Sequence, residues 1–379
     1  MNTIQPGTLS DAQIKELKLL EYIEPALDVS HISPSSVDLP MSKEAYRIAR
    51  MTLPNKNETI RQALSKMDAT KIEEDSILEV GSKYLVYLGH IKNPLPHNLT
   101  CHASPKSSTG RVDLHVKLLA DRTVMYDTVG ENFTGELWML LIPQSFPILF
   151  CPGEALIQLR FFNGCEKLKS NEVEELIENG LVLDKSGQRI PRENLHVDSE
   201  GKLMMTLDLD VENPGFVCRG ISHILDIRKR KAYDYQDYFE KVQLKNGGLV
   251  LEPDAFYILS TKEVLDIPTT IAGEMAVSQY KFGEFRAHYA GFFDPGFKGF
   301  GTLEVRSSEE LFVYDGYPIT EMIFEKVSGP VDVPYGEKPI VNYYGQVGPT
   351  LSKYFKGTLM SPQETKGTLM SDNQTKRIQ

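Results

Sequence analysis

The feature of this sequence that most constrains its fold is an internal repeat of short β-strand patterns. Three pairs of segments match in the same order along the chain: 78–86 with 251–259, Leu95-Pro96 with Ile267-Pro268, and Phe133-Thr134-Gly135 with Phe297-Lys298-Gly299. The last pair leads into a strand pattern in both places. A repeat of this length predicts two copies of one β domain rather than a solenoid.

Strand patterns dominate both copies, and Gly, Pro and Asn clusters separate them. In the first copy they fall at 77–79, 84–88, 112–119, 137–142, 148–150 and 156–162. Helical patterns are short: one opens with a capping box at Ser10 to Gln13, and the others cover 57–67 and 170–179. The sequence therefore predicts a mainly β protein, with a distorted barrel or jelly roll in each copy and a few short helices.

These patterns divide the chain into four parts. Residues 1–179 are predicted to form the first domain and residues 241–356 the second. Residues 180–240 are polar and are predicted to be a connecting region. Residues 357–379 have too little apolar content to pack and carry part of a short duplication, so we expect a disordered tail.

Composition narrows the classes of function. The net charge of −11 over 379 residues disfavours bulk attraction to nucleic acid or to anionic membranes. The four cysteines form no C-x-x-C motif, so no disulfide framework is predicted. The first residues lack the pattern of a signal peptide, and the apolar runs are too short to span a bilayer. These features predict a cytoplasmic protein with no nucleic-acid or membrane partner.

The stretch 286–304 contains a candidate for acid–base chemistry. Its aromatic run ends at Asp294-Pro295-Gly296, which is typical of a tight turn, and a strand pattern follows. Alternation along that strand places Thr302 and Glu304 on one face and Leu303 on the other. A carboxylate on a rigid strand beside a glycine-rich turn can act as a general base, although a solvated glutamate gives the same pattern.

The first copy contains a loop suited to a polyphosphate, K-S-S-T-G-R at 106–111. Its lysine offers a point charge, its arginine a bidentate fork, and its hydroxyl and backbone N–H groups further donors. The spacing differs from that of a Walker A loop. By itself, such a loop is also compatible with a solvated basic turn.

The two copies keep different halves of this chemistry. At the place equivalent to 106–111, the second copy reads A-V-S-Q-Y-K at 276–281 and lacks the paired hydroxyls. At the place equivalent to Glu304, the first copy has Leu140. One copy keeps the anion loop and the other keeps the acid, which is the arrangement expected for a site between copies.

The sequence does not predict a metal centre. The zinc deaminase signature, H-x-E with P-C-x-x-C, does not occur, and the histidines form no H-x-x-x-H pair. His288 is a lone histidine in a strand pattern, where it either contacts a substrate or is structural.

Four motifs together resemble the dCTP deaminase branch of the dUTPase superfamily. They are S-P-S-S-V-D-L at 33–39, K-S-S-T-G-R at 106–111, D-P-G-F at 294–297 with Leu303-Glu304, and Y-Y-G-Q-V-G at 343–348 with Ser352-Lys353. The chain resembles most closely the long bacterial form with two tandem copies. The resemblance extends to about Lys356.

This resemblance implies dUTPase-like barrels with sites between neighbouring units. It implies a hydrolase that converts dCTP to dUTP and ammonia without zinc, with Mg²⁺ carried on the triphosphate, as a step toward dUMP and dTMP synthesis. The implied partners are dCTP and dUTP. A homo-oligomer is also implied, with a trimer favoured and a dimer left open.

The match also implies roles for individual residues. Glu304 acts as both base and acid, while Ser107 and the backbone around Ala290 hold the attacking water. Asp294 and Thr302 contact the nucleoside. The other implied substrate-binding residues are Lys106, Ser108, Thr109, Gly110 and Arg111 around the phosphates, together with Arg286, His288, Leu303, Tyr335, Asn342 and Gln346.

Departures from the family pattern leave alternatives open. Phe292 stands where single-copy members often have Arg, whose role passes to Arg286 or is absent. Asn342 stands where Lys is usual. The alternatives are a nucleotide-binding regulator without turnover and a dUTP diphosphatase, alone or combined with the deaminase. The sequence does not decide between dCTP, dCDP and dCMP, and it says nothing of feedback by dTTP.

Overall fold

The structure is a computed structural model that describes residues 4–164, 167–220, 223–275, 285–286, 290–338 and 341–357. The predicted tail, apart from residue 357, lies outside the described residues, as do His288 and the segment 276–281. No helix within the described ranges has both the length and the apolar character needed to cross a membrane.

The first repeat is built from short strands and three α-helices. Its strands are β1 (Gly7–Thr8), β2 (Ile23–Glu24), β3 (Ile32–Ser33), β4 (Ser36–Pro40), β5 (Ala45–Ile48), β6 (Ala69–Ile72), β7 (Ile77–Leu78), β8 (Lys83–Ile91), β9 (Thr100–Pro105), β10 (Leu114–Ala120), β11 (Thr128–Val129), β12 (Gly135–Pro143), β13 (Ile148–Leu149) and β14 (Ala155–Asn163). Its helices are α1 (Asp11–Glu16), α2 (Ile60–Met67) and α3 (Ser107–Gly110).

The second repeat begins with helix α4 (Ser170–Glu178). Its strands are β15 (Val182–Leu183), β16 (Leu203–Thr206), β17 (Phe216–Cys218), β18 (Glu240–Lys241), β19 (Gly248–Leu251), β20 (Phe256–Asp266), β21 (Ile271–Met275), β22 (Phe285–Arg286), β23 (Phe292–Phe293), β24 (Lys298–Ser307), β25 (Leu311–Tyr314) and β26 (Pro318–Lys326). Short 3₁₀ helices lie at Leu19–Tyr22, Val29–His31, Pro96–Asn98, Arg192–Asn194, Tyr235–Asp237 and Tyr335–Glu337.

The sheets of the two repeats have the same strand order, which confirms the predicted tandem β architecture. The path β4-β14-β9-β11 corresponds to β16-β26-β21-β23, and β6-β5-β8-β12-β10 corresponds to β18-β17-β20-β24-β22. The two-stranded pair β7-β13 corresponds to β19-β25. Every pairing within these sheets is antiparallel, so each repeat is a distorted barrel of small antiparallel sheets.

Matched details support this correspondence. The backbone N–H of Glu79 donates to the Tyr84 hydroxyl at 2.9 Å, and the N–H of Glu252 donates to the Tyr257 hydroxyl at 2.9 Å. In the strands that hold the equivalent acid position, Leu140 lies opposite Leu85 and Glu304 lies opposite Ile258. The predicted equivalence of Leu140 and Glu304 therefore agrees with the strand register.

The segment 180–240 differs from the prediction. Its strands β15 and β17 pair with β20, and β16 pairs with β26, so this segment contributes strands to the second repeat rather than connecting two finished domains. These strands have only two to four residues each. Strands this short, between polar loops, give little alternation to read from the sequence.

The cores of the two repeats are not separate. The larger hydrophobic cluster is centred on the first repeat but also includes Phe239 and Phe256 of the second repeat and Tyr354 and Phe355 near the end of the described chain. The second cluster fills the barrel of the second repeat. Shared apolar packing fixes the two repeats against each other, which positions any site at their junction.

Local capping chemistry sets the helix starts. Ser10 and Gln13 form the predicted capping box of α1. Helix α2 begins after Thr59, which forms a capping box with Gln62, so it starts three residues later than the sequence pattern indicated. Helix α4 agrees with the predicted range and is followed by Gly180, whose φ of 95° ends it.

Candidate active site at the junction of the repeats

A cavity of about 590 Å³ lies between the two repeats, a volume within the range of small-molecule pockets. Ten of the predicted site residues line it: Lys106, Ser107, Ser108, Arg111, Ala290, Asp294, Thr302, Tyr335, Asn342 and Gln346. The first repeat provides the first four and the second repeat the rest. The cavity is therefore composite within a single chain.

Glu304 lies at a close contact between the two repeats and is not itself among the residues that line the cavity. It is buried on β24, and its Oε2 accepts a hydrogen bond of 2.9 Å from the backbone N–H of Ala290. A methyl group added at Gly110 would lie 2.4 Å from the same oxygen. The carboxylate of the second repeat is thus packed directly against the backbone of the loop 106–111 from the first repeat.

The loop 106–111 forms the short helix α3, which follows β9. Its lysine, Lys106, pairs with Asp38. Thr109 is fully buried, and its hydroxyl donates to the carbonyl of Leu156 at 2.8 Å, so it holds the loop and does not face the cavity. Ser107 lies at the cavity wall.

Arg111 is buried and connects the loop to the C-terminal segment. Its Nη1 donates to the carbonyl of Thr350 at 3.0 Å and its Nη2 to Oε1 of Gln346 at 2.9 Å. Its guanidinium lies 3.7 Å from the ring centre of Tyr343. Its Nε has no hydrogen-bond partner among the described residues. Burial lowers the pKa of Arg111, because the charged form is poorly solvated.

A buried cation of this kind favours an anionic ligand. Among the described residues, no carboxylate lies within 4 Å of the Arg111 guanidinium; the nearby acidic groups act on it only at longer range. A buried charge without a close counter-ion is destabilising, and an incoming phosphate would relieve that cost.

Asp294 follows β23 and is buried in the cavity wall. Its Oδ1 accepts from the Ser35 hydroxyl at 3.3 Å. Burial raises its pKa to about 6, although the Lys338 ammonium and the Ser35 hydroxyl act in the opposite direction. The ammonium of Lys338 in turn donates to the Ser33 hydroxyl at 3.0 Å. Asp294 therefore titrates close to neutral pH.

Three polar atoms of the cavity residues are buried without a partner. They are Oδ1 of Asp38, Nε of Arg111 and Oγ1 of Thr302, each without a hydrogen bond among the described residues. Buried polar groups are nearly always satisfied, and each exception calls for an explanation. Their presence around one cavity indicates a polar ligand with both donors and acceptors.

Some predicted residues lie elsewhere. The Leu303 side chain is fully buried in the second core and does not line the cavity, because the strand alternation turns it away from Thr302 and Glu304. Arg286 belongs to β22, where it lies opposite Arg306. His288 lies outside the described residues.

Sequence reasoning missed several cavity residues. Gln158, Asp38, Lys338 and Lys353 all line it, but none was assigned a role. Asp38 and Lys353 stood inside motifs that carried the family resemblance, which was the available signal. Gln158 lies in a strand of the first repeat and Lys338 in a polar loop, and neither had a motif to mark it.

The equivalent position in the first repeat is filled by side chains. Leu140 belongs to a buried apolar cluster that also contains Leu85, Trp138 and residues of helix α2. Arg61 of α2 lies 5.2 Å from the Trp138 ring centre and pairs with Glu136 at 2.6 Å. Among the described residues, no three His, Cys, Asp or Glu side chains form a group that could hold a metal ion.

Two family profiles match nearly the whole described chain. The profile of the 2'-deoxycytidine 5'-triphosphate deaminase (DCD) N-terminal domain matches residues 5–165, and that of the C-terminal domain matches residues 170–355. A solved structure titled as 2'-deoxycytidine 5'-triphosphate deaminase from Agrobacterium tumefaciens superposes with a TM-score of 0.77 at 29% identity, covering 86% of this chain and 97% of that one.

Curated relatives match over shorter stretches. A protein of Persephonella marina named "dCTP deaminase, dUMP-forming" is 30% identical over 154 residues, which is 40% of this chain and 81% of the relative. A protein of the same name from Corynebacterium glutamicum strain R is 34% identical over 120 residues, or 30% of this chain. The chain spans 64% of the length of this second relative.

Proposed function

Because this chain belongs to the 2'-deoxycytidine 5'-triphosphate deaminase family, we propose that it hydrolyses dCTP to dUTP and ammonia in the cavity between its repeats. The observation that carries this proposal is the contact of Glu304 with the loop 106–111: the carboxylate of one repeat lies against the candidate phosphate loop of the other. Cytosine and triphosphate would then lie across the junction.

Glu304 is the proposed general base and acid. It takes a proton from water as the oxygen attacks C4 of cytosine, and the proton passes to N3 of the ring. In the resulting tetrahedral intermediate Glu304 transfers the proton of the new C4 hydroxyl to the exocyclic amine, the C4–N4 bond breaks, and ammonia leaves as the C4 carbonyl forms. The hydrogen bond from Ala290 N–H fixes Oε2, so the carboxylate is oriented before substrate binds.

The surrounding residues hold the substrate in this proposal. Ser107 and the backbone at Ala290 position the water, and the unpaired Thr302 hydroxyl and Asp294 contact the nucleoside. The phosphates lie against Lys106, Ser108 and Arg111, with Tyr335, Asn342 and Gln346 on the C-terminal side. Mg²⁺ arrives with the triphosphate and neutralises part of its charge.

Release of dUMP is a second candidate activity. The curated relatives carry the name "dUMP-forming", and the cavity is lined by Asp294, a buried carboxyl group whose pKa is raised to about 6. An ionised Asp294 would direct a second water to the α-phosphate of dUTP and release pyrophosphate. A regulator that binds dCTP without turnover is the non-enzymatic alternative.

Chromatography of products tests these proposals directly. We expect dCTP with the wild type and Mg²⁺ to give dUTP and ammonia, with EDTA stopping turnover and added Mg²⁺ restoring it. Glu304→Gln is expected to lower kcat about a thousandfold while calorimetry still detects dCTP binding. Glu136→Gln, in the corresponding strand β12 but paired with Arg61 of its own repeat, is the matched control and should keep full turnover.

Each outcome selects one function. Accumulation of dUTP supports the deaminase alone, while dUMP with pyrophosphate supports the combined activity. Binding of dCTP without product supports the regulator. The same preparation tests the proposed cytoplasmic homo-oligomer by light scattering, in which a trimer or dimer appears as a multiple of the 42.7 kDa chain.

A further inference from the structure

A basic loop between the repeats reaches the cavity. It contains the sequence R-K-R-K at 228–231, and one of its side chains, Arg230, lines the cavity beside Lys353. The loop lies between β17 and β18, the position that helix α2 occupies between β5 and β6 of the first repeat. The two repeats therefore place different structures at the same point of their topology.

The backbone of this loop is tied down at both ends. The N–H of Asp226 donates to the Tyr233 hydroxyl at 2.9 Å, which closes the loop. The N–H of Lys231 donates to the carbonyl of Lys353 at 3.0 Å, and the N–H of Ala232 donates to that of Tyr354 at 2.9 Å. Arg230 is thus held next to the C-terminal segment, so little order has to be created when a ligand binds.

The basic side chains of the loop differ in whether a carboxylate lies close to them. Arg228 pairs with Asp226 at 2.8 Å and with Asp75 at 2.9 Å, and Lys229 lies 3.8 Å from Asp226. Among the described residues, Arg230 has no carboxylate within 4 Å, and neither does Lys353. Burial lowers the pKa of Lys353 to about 8, with the positive charges of Lys106 and Arg230 acting in the same direction and the carboxylates of Glu154 and Asp38 in the opposite one.

The cavity end near Arg230 therefore has more positive than negative charge. Lys106 is balanced by Asp38, but Arg230, Lys353 and Arg111 have no close carboxylate among the described residues. We propose that Arg230 and Lys353 together bind the terminal phosphate of the nucleotide, so that the site distinguishes a triphosphate from a monophosphate. This inference rests on the proposed substrate.

The geometry explains why an arginine suits this position. A guanidinium presents a planar fork that binds two phosphate oxygens, while the neighbouring ammonium of Lys353 adds a compact charge. The loop comes from the segment 180–240, so Arg230, unlike Lys353, belongs to the part that differs between the repeats.

Steady-state kinetics with dCTP, dCDP and dCMP test this inference. We expect Arg230→Ala to raise the KM for dCTP at least tenfold while leaving kcat and the weak binding of dCMP unchanged. Arg230→Lys should recover part of the loss, because it keeps the charge without the fork. Lys229→Ala is the matched control: it removes the same charge from the same loop but does not line the cavity, and it should leave all three substrates unaffected.

Two results would overturn the inference. One is an Arg230→Ala enzyme that behaves like Lys229→Ala with dCTP; the other is an equal loss for dCTP and dCMP. Calorimetry separates this failure from failure of the proposed function. If the wild type binds dCTP without turnover and Arg230→Ala loses that binding but retains dCMP, the deaminase proposal fails and the role of Arg230 stands.

Discussion

Glu304 and Leu140 occupy the same place in two copies of one barrel but face opposite environments. Glu304 lies against a loop of the other repeat, whereas Leu140 lies under helix α2 of its own repeat within an apolar cluster. The difference shows that the two copies meet different requirements, one for a buried acid and the other for a stable apolar core. One copy keeps the buried acid, which is destabilising in a core, and the other replaces it with stabilising apolar contact.

The insert between β5 and β6 of the first repeat, and between β17 and β18 of the second, follows the same division. In the first repeat this insert is α2, which covers the Leu140 position with Ile60 and Met67. In the second repeat it is the segment 219–239, which places Phe239 in the core of the first repeat and Arg230 at the cavity. Helix α2 thus covers the Leu140 position of the first repeat, whereas the segment 219–239 extends to the cavity between the repeats.

The largest effect is expected from restoring an acid in the first repeat. Leu140→Glu places a carboxylate in a cluster of apolar side chains, and we expect it to lower the free energy of unfolding by more than about 3 kcal/mol. Chemical denaturation measures this loss. Leu140→Met should cost less than about 1.5 kcal/mol. A Leu140→Glu variant that kept its stability and turned over twice as much dCTP per chain would contradict the inferred difference between the two repeats.

The next effect concerns the close contact of Gly110 with Glu304. Gly110→Ala would place a methyl group 2.4 Å from Oε2, so the carboxylate must move. We expect kcat to fall about a hundredfold without loss of the fold, because small misplacements of a catalytic group are costly. Gly130→Ala is the control, since nothing lies within 4 Å of its added methyl. Unchanged kcat in the Gly110 variant would show that the two repeats do not cooperate at Glu304.

A smaller effect is expected at Arg111, which is buried without a close carboxylate. Arg111→Ala should raise the KM for dCTP about thirtyfold, equivalent to about 2 kcal/mol for a charged hydrogen bond, and leave deoxycytidine almost unaffected. Kinetics with both compounds measure the difference. Equal losses would assign Arg111 to holding Thr350 and Gln346 in place rather than to phosphate.

The last expected effect is a pH dependence of stability. The pKa of Asp294 is raised from 3.8 to about 6, so the folded state holds a proton that the unfolded state has already lost. The contribution of Asp294 to wild-type stability should therefore fall as pH rises from about 4 to about 6 and stay level above that. Asp294→Asn should lack this loss, a relative gain of about 3 kcal/mol at pH 7. An equal change of the free energy of unfolding with pH in the wild type and in Asp294→Asn would contradict this prediction.

The sequence predicted the features that repeat or that lie within one short motif. The tandem architecture, the equivalence of Leu140 with Glu304 and the placement of Thr302 and Leu303 on opposite faces of their strand all follow from strand period and internal similarity. The pairing of the short strands of 180–240 with the second repeat was missed, because strands of two to four residues show little alternation. Leu303 was assigned to the site although its own alternation turned it into the core.

The other missed features depend on contacts between distant parts of the chain. Arg111 bonds to Gln346 across 235 residues, and Lys338 bonds to Ser33 across 305. No sequence feature near either partner predicts such a contact. Burial of Asp294, which sets its pKa, is likewise a property of the assembled junction rather than of its turn motif.

The burial of Tyr354 and Phe355 in the core of the first repeat has a consequence for how the protein is made. During synthesis the first repeat leaves the ribosome long before these residues do. Its core therefore stays incomplete until the chain is nearly finished. The active cavity can form only after that final docking. A nascent or truncated chain that ends before residue 351 is therefore inactive and exposes apolar surface for chaperones and proteases.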